Sequence, residues 1–256
     1  MLDLLDKELD GAIPGAVNLR DMGGIPVEGG RIRPGLVFRS GMMHNITAEG
    51  LAALAQTHRI RTVVDLRNDM ELEQDGLSDF APTGITHCHV PVVTTAATAV
   101  TRTERIRELA SGKLPWADMY LKMLQDSPHT FRAFFELLAD QSSLSVVFHC
   151  AGGRDRTGVT AALFLSVLGA NDDAIAADYA RTGPILMRYP DRFSRTMQET
   201  GLTIEEMTAM VGNTAPQVMH DLMAMIRTEW GSTEAYLEST GLDMAVLPEL
   251  RAQLVA

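Results

Sequence analysis

The sequence predicts an α/β domain with a mainly parallel central sheet flanked by helices. Three observations carry this reading. Residues 60–66 form a β-branched run suited to a central parallel strand. Residues 144–148 form a second short apolar run, followed by a tight glycine-containing loop and then by the almost wholly apolar stretch 159–168, which reads as a buried helix. Up to about residue 170, stretches of strand character alternate with stretches of helical spacing, the pattern that layers helices on a parallel sheet.

Residues 16–19 start the fold in an extended conformation. Gly23-Gly24 and Gly29-Gly30 place turns on either side of residues 25–28, which makes a hairpin. Residues 35–39 read as a strand. Thr47 suits the N-cap of a helix whose inner face carries Leu51, Leu54 and Ala55. Strands at 60–66 and 85–90 follow. Residues 92–100, rich in Thr, Ala and Val without a clear period, read as a surface loop. Helices are expected at 104–110 and 114–124. Another opens with Ser127 as N-cap and Pro128 at its first position, and buries Phe131, Phe134, Phe135 and Leu138.

Beyond residue 170 the pattern is helical. Asn171-Asp172-Asp173 caps a helix reaching residue 182, and Gly183-Pro184 is expected to break the chain. Helices are then expected at 185–189, 192–199, 204–210, 216–229, 233–238 and 244–254. Met187, Met197, Met207, Met210, Met219, Met223, Met225 and Met244 fall here. Methionine fills irregular apolar surfaces, in an ordinary core as well as in a mobile segment.

The chain has 256 residues, enough for one large domain. A formal net charge of −11 argues against a broad face for nucleic acid or anionic membrane. It leaves room for a small basic pocket, and Arg20, Arg31, Arg33, Arg39, Arg67, Arg154 and Arg156 recur in motifs. Cys88 and Cys150 are the two cysteines, too few for a disulfide framework, and a free thiol suits a reducing, cytoplasmic compartment. No secretion signal and no membrane-spanning apolar stretch is apparent. A monomer is the expectation.

The chemistry lies in His149-Cys150-Ala151-Gly152-Gly153-Arg154-Asp155-Arg156-Thr157-Gly158. A loop between a strand and a helix can turn its backbone N–H groups on an anion, helped by the helix dipole. Gly152 and Gly153 let the backbone curl. A cysteine in such a setting favours the thiolate, because helix N-termini and arginines lower a thiol pKa from about 8.5 to roughly 3.5–7.5. Arg156 supplies a fork matched to phosphate oxygens. Ala151, Gly152, Gly153, Arg154, Asp155, Arg156 and Thr157 are therefore the expected phosphate binders, around a Cys150 nucleophile.

This loop resembles the Cys-x5-Arg-Thr signature of the protein tyrosine phosphatase superfamily. Its fuller form is similar to one branch, the bacterial and fungal tyrosine/serine phosphatases. Asn18-Leu19-Arg20-Asp21-Met22-Gly23-Gly24, residues 33–40, Asp65-Leu66-Arg67 and Trp230-Gly231-Ser232 resemble the same branch, so the likeness spans roughly residues 14 to 254. Arg154 stands where that branch usually has Lys. The resemblance implies a tyrosine-phosphatase-like fold in which a helical insertion after the catalytic helix lids the site, here residues 184–212. It implies hydrolysis of phosphotyrosine, with phosphoserine/threonine and phosphoinositides as further substrates, through a phosphocysteine and without metal or cofactor. It leaves export without a signal open.

Each role has a rival reading. His149 orients the Cys150 turn or is a satisfied strand-end histidine. Thr157 donates to the Cys150 sulfur or caps the helix. For the general acid the resemblance points to Asp65, at the carboxyl end of a strand. Asp118, in Trp116-Ala117-Asp118, and Asp155, inside the loop, are alternatives. Arg154 recognises a second phosphate or is a solvated, paired arginine. His87-Cys88-His89 suggests a metal site only superficially, because strand alternation sends Cys88 to the opposite face. A binding module with little turnover is the alternative reading outside catalysis. Another is a Cys-loop enzyme such as a sulfurtransferase or arsenate reductase, in which Cys88 is the sole candidate for a second thiol.

Overall fold

A computed structural model describes residues 13–93 and 102–256. The first part contains β1 (Arg20–Asp21), the hairpin β2 (Pro26–Val27) and β3 (Gly30–Arg31), β4 (Val37–Ser40), α1 (Ala48–Gln56), β5 (Thr62–Asp65), α2 (Asp69–Asp75) and β6 (Thr86–His89). There follow α3 (Arg102–Ala110), α4 (Trp116–Asp126), α5 (Pro128–Ala139), β7 (Val146–His149), α6 (Asp155–Val167) and α7 (Asp172–Ala180). The chain ends in α8 (Thr182–Leu186), α9 (Ser194–Thr200), α10 (Ile204–Gly212), α11 (Pro216–Trp230), α12 (Thr233–Ser239) and α13 (Val246–Leu254). Most of the expected 92–100 loop lies outside the described residues.

Five strands form one sheet in the order β1-β4-β7-β5-β6. β1 is antiparallel to β4, and β4, β7, β5 and β6 run parallel. Both faces are covered, which explains strands that are apolar on both sides. Val37, Val64, Val146 and Phe148 enter one core, with the aromatic face of α5, the length of α6 and the inner face of α11. Phe38, Val63 and Val147, one residue out of phase, enter the other with Leu51 and Leu54 of α1. Because β7 returns between β4 and β5, its carboxyl end opens on the crevice where parallel sheets place ligands.

The structure departs from the expected elements in three places. Helix α2 was not legible from periodicity because it buries no residue. It is held by a capping box, in which Asn68 accepts from Glu71 N and Glu71 accepts from Asn68 N. Gly183 and Pro184 do not break the chain. They lie in the first turn of α8, where the N–H that proline lacks has no helical partner to lose, and the break falls at Arg181. Ser127 stands at the N-cap of α5, but its hydroxyl is turned to Val93 instead of the helix.

Leu186, Met207 and Val211 of α8 and α10 pack with Val17 in a third cluster, apart from the two main cores. Met187, Met197 and Met210 join it, whereas Met219 and Met223 belong to the main core. Among the described residues, no helix is long and apolar enough to cross a membrane.

Candidate active site

The loop from Cys150 to Arg154 joins β7 to α6, and the surrounding scaffold holds its carbonyls one by one. Met42 N donates to Ala151 O at 2.9 Å. Asn18 Nδ2 donates to Gly152 O at 3.3 Å and Gly153 O at 3.0 Å, and Arg39 Nη2 donates to Gly153 O at 2.8 Å. A trans peptide points its N–H opposite to its C=O. Carbonyls anchored outward at 151, 152 and 153 therefore turn the N–H groups of Gly152, Gly153 and Arg154 inward. The first N–H groups of α6, which have no partner within the helix, add to them. Gly153 is required here: its φ is +67°, and a Cβ would sit 2.5 Å from Ser40 O. At Gly152 a Cβ would make only ordinary contacts, at 3.9 Å to Arg154 and to Leu186 of α8.

The anchors are themselves a buried ion-pair network. Asn18, in the left-handed region at φ 57°, receives Arg20 Nη1 on its Oδ1. Arg20 Nε and Arg39 Nη1 both donate to the Asp178 carboxylate. Burial alone would raise Asp178, but the two guanidinium groups hold it down at about 2. Burial, with Arg20 alongside, lowers Arg39 to about 10. Asp21 accepts from Gly23 N and Gly35 N and closes a turn. Arg31 and Arg33 lie exposed beside the C-terminal residues. The expected cluster of pocket arginines is thus mostly scaffold.

Arg156 donates through both Nη atoms to the Glu71 carboxylate, with Nη2–Oε1 at 2.7 Å. Burial works against this charge, but Glu71 outweighs it and holds the guanidinium protonated. Glu71 has no apolar period to betray it. Its signal in the sequence is the Asn-x-x-Glu capping box. Arg39 and Arg156 both lie within electrostatic range of Cys150, which is buried.

Asp155 opens α6 with a side chain about one third exposed. Its Oδ1 accepts from Tyr120 Oη at 2.7 Å, and Tyr120 Oη lies 2.7 Å from Tyr179 Oη. Burial, reinforced by the Asp155 charge, raises the Tyr120 phenol well above its ordinary value, so it stays protonated. Arg154 does not reach over the pocket mouth as expected. It is buried, its guanidinium stacked 3.8 Å from the Trp116 ring centroid, with Nη2 donating to Asn213 O at 2.9 Å. Nor is it the solvated arginine of the rival reading. The Thr157 hydroxyl is buried without a hydrogen-bond partner, so the expected bond to the Cys150 sulfur is not formed.

Behind the loop, Asp65 is fully buried and both its oxygens are taken by Arg67, Nη2–Oδ2 at 2.7 Å. Burial alone would raise this carboxyl. Hydrogen bonds from His87 and Arg67, with His149 nearby, hold it far below the usual range. In this arrangement Asp65 is held in its ionised form and does not face solvent. Burial lowers His149 to about 4 against the pull of Asp65, so its ring is neutral. Its Nδ1 lies 3.3 Å from Cys150 O and its Nε2 faces Asp65 Oδ2 at 3.6 Å, so the ring is held between the Cys150 turn and the Asp65 carboxylate.

Asp118 lies exposed on α4, with Trp116, Ala117, Met119 and Tyr120 buried around it. The contribution of α4 to the site is Tyr120 and Trp116, not Asp118. His89 Nε2 donates to Arg67 O and His87 Nε2 approaches Asp65 Oδ2 at 3.5 Å. Among the described residues, no group of three His, Cys, Asp or Glu is placed to hold a metal. Cys88 is on β6, with all of β5 between it and β7. Two strand spacings, roughly 9–10 Å, exceed disulfide reach, so no thiol relay with Cys150 exists in this fold.

A sequence model described as the tyrosine phosphatase family matches residues 12–256. The chain is 30% identical over 234 residues to a candidate tyrosine-protein phosphatase of Cupriavidus necator, covering 90% of this chain and 84% of that one. It is 26% identical over 276 residues to the triple specificity protein phosphatase PtpB of Mycobacterium tuberculosis, covering 95% and 98%. Among solved structures it is similar to the core catalytic domain of the PP-IP phosphatase SIW14 from S. cerevisiae. There the TM-score is 0.38 and the identity 15%, over 74% of this chain and 95% of that one.

Proposed function

The chain belongs to the tyrosine phosphatase family, and on that premise we propose that it hydrolyses phosphotyrosine monoesters through a phosphocysteine at Cys150. The observation that carries this is the loop whose carbonyls at 151, 152 and 153 are anchored outward, with the cysteine at its start and Arg156 at its end.

Inward N–H groups and Arg156 bind the three non-bridging oxygens and stabilise the charge they carry in the transition state. The Cys150 thiolate attacks phosphorus in line with the ester oxygen. As the S–P bond forms and the P–O bond breaks, the leaving oxygen takes a proton from a carboxyl group. We assign that role to Asp155, whose Oδ2 has no hydrogen-bond partner among the described residues and whose side chain meets solvent. The resulting carboxylate then takes a proton from water, which attacks phosphorus and releases phosphate and the thiolate. Asp65 becomes a positioning group that holds Arg67 behind the loop. The residues holding phosphate are Ala151, Gly152, Gly153, Arg154, Asp155, Arg156 and Thr157, through backbone N–H in each case and through the side chain at Arg156. His149 fixes the turn.

The stretch 184–212 is proposed as the lid. Leu186 approaches Gly152, and an Arg195–Asp75 ion pair ties α9 to the helix that carries Glu71. The relative named a triple specificity protein phosphatase supports a range wider than phosphotyrosine, which we extend to phosphoserine/threonine and, on the resemblance of the loop alone, to phosphoinositides. The buried Arg154 offers no second-phosphate contact in support of the lipid.

An aryl phosphate assay in EDTA tests the proposal. Hydrolysis should continue, fall with vanadate and be abolished in Cys150→Ser. Full activity in Cys150→Ser, or a requirement for added divalent metal, overturns it.

A further inference from the structure

Two buried phenols sit behind the proposed acid. Tyr120 on α4 and Tyr179 on α7 come from different helices, and their hydroxyls are 2.7 Å apart. Each hydroxyl has one proton. Tyr120 Oη directs its proton to Asp155 Oδ1 and so accepts from Tyr179. The Arg154 guanidinium, stacked on Trp116, bears on the Tyr179 hydroxyl and lies 3.7 Å from Asp155 Oδ1. Arg154, Tyr179, Tyr120 and Asp155 thus form a directed chain that ends on one oxygen of one carboxyl. A buried phenol in an ordinary core needs a single partner. Here Tyr120 is spent on Asp155 and Tyr179 on Tyr120, and Asp155 is the one member of the chain that reaches solvent.

We propose that Tyr120, backed by Tyr179, is a positioning residue for proton donation by Asp155. Holding Oδ1 fixes the carboxyl plane and leaves Oδ2 as the oxygen that carries the proton towards the leaving group. When the proton moves from Oδ2 to the ester oxygen and the P–O bond breaks, the charge left on Asp155 is already met by the Tyr120 O–H. This donor was in place before the reaction and needs no reorganisation. The inference rests on the phosphatase reading and on Asp155 as its acid.

The test is kcat/KM, which reports the step in which the leaving group departs, across substrates from nitrophenyl phosphate to phenyl phosphate to a phosphoserine peptide. Asp155→Asn should lose most on the poorest leaving group. Tyr120→Phe should show the same dependence at smaller size, about tenfold on the phosphoserine peptide and little on nitrophenyl phosphate. In the Asp155→Asn background, Tyr120→Phe should change nothing further, and vanadate affinity should be unmoved in either. Tyr179→Phe, which keeps the Tyr120 hydroxyl but removes its donor, should give a weaker effect of the same kind and serves if Tyr120→Phe does not fold. A loss from Tyr120→Phe that is equal for all leaving groups, or that adds to Asp155→Asn, overturns the positioning role alone. A flat response in Asp155→Asn overturns the acid assignment with it.

Discussion

Glu71 joins the Arg156 guanidinium and the backbone of its own helix in one set of contacts. Its Oε2 accepts from Asn68 N at 3.0 Å, while both its oxygens receive Arg156. The capping box that starts α2 thereby becomes the mount that aims the fork at the end of the proposed phosphate-binding loop. Glu71→Ala should lower kcat/KM by about 10²-fold for every phosphate ester, the scale of a misplaced binding group. Steady-state kinetics on good and poor leaving groups check this. A loss confined to poor leaving groups contradicts it.

Gly153→Ala should inactivate the enzyme and destabilise it by about 2 kcal/mol or more, from the positive φ together with backbone overlap at Ser40. Gly152→Ala, whose Cβ would make only ordinary contacts at 3.9 Å, should be milder on both counts. Thermal melting and activity of the two variants side by side decide it.

Arg154→Ala should reduce activity on phosphoinositides and on phosphopeptides by the same factor. The side chain is buried against Trp116 and Asn213 O, so its removal disturbs the loop rather than a second phosphate. A stability loss of about 1–3 kcal/mol should accompany it. A selective loss on the lipid, shrinking at high salt, would contradict this placement.

Stability should fall on acidification in two stages. His149 is lowered to about 4 in the fold, so between about pH 6.5, its unfolded value, and 4 the unfolded chain binds a proton that the native one refuses. Stability is present above that window and is lost through it, by on the order of 3 kcal/mol at most. Asp178, held down at about 2, and Asp65, held far below the usual range, add a second loss as pH drops below about 4. Denaturant midpoints across pH check the sequence of losses. His149→Asn should flatten the first stage and leave the second.

The loop and its flanking strand and helix were legible because their chemistry is contiguous: ten residues carry cysteine, glycines and arginine between two apolar runs. Asp65 was rightly placed at a strand end. The arginine two residues on, which occupies both its oxygens, was not read as its partner. Helix α2 offers no apolar face, so only its cap could announce it. Tyr120 lies 35 residues from Asp155 and 59 from Tyr179, on helical faces where tyrosine reads as core. Arg154 looked exposed because it is charged, and only the Trp116 ring beneath it makes burial tolerable.

The central claim is covalent: phosphate passes through the Cys150 sulfur. Rapid acid quench of the Asp155→Asn variant with nitrophenyl phosphate, whose leaving group departs without a proton, followed by mass spectrometry of the loop peptide, tests it most directly. With the proposed base for the second step removed, the intermediate should accumulate. The account predicts a phosphoryl adduct on Cys150 that forms within one turnover and is absent in Cys150→Ser. Turnover without that adduct, or an adduct on any other residue, contradicts it.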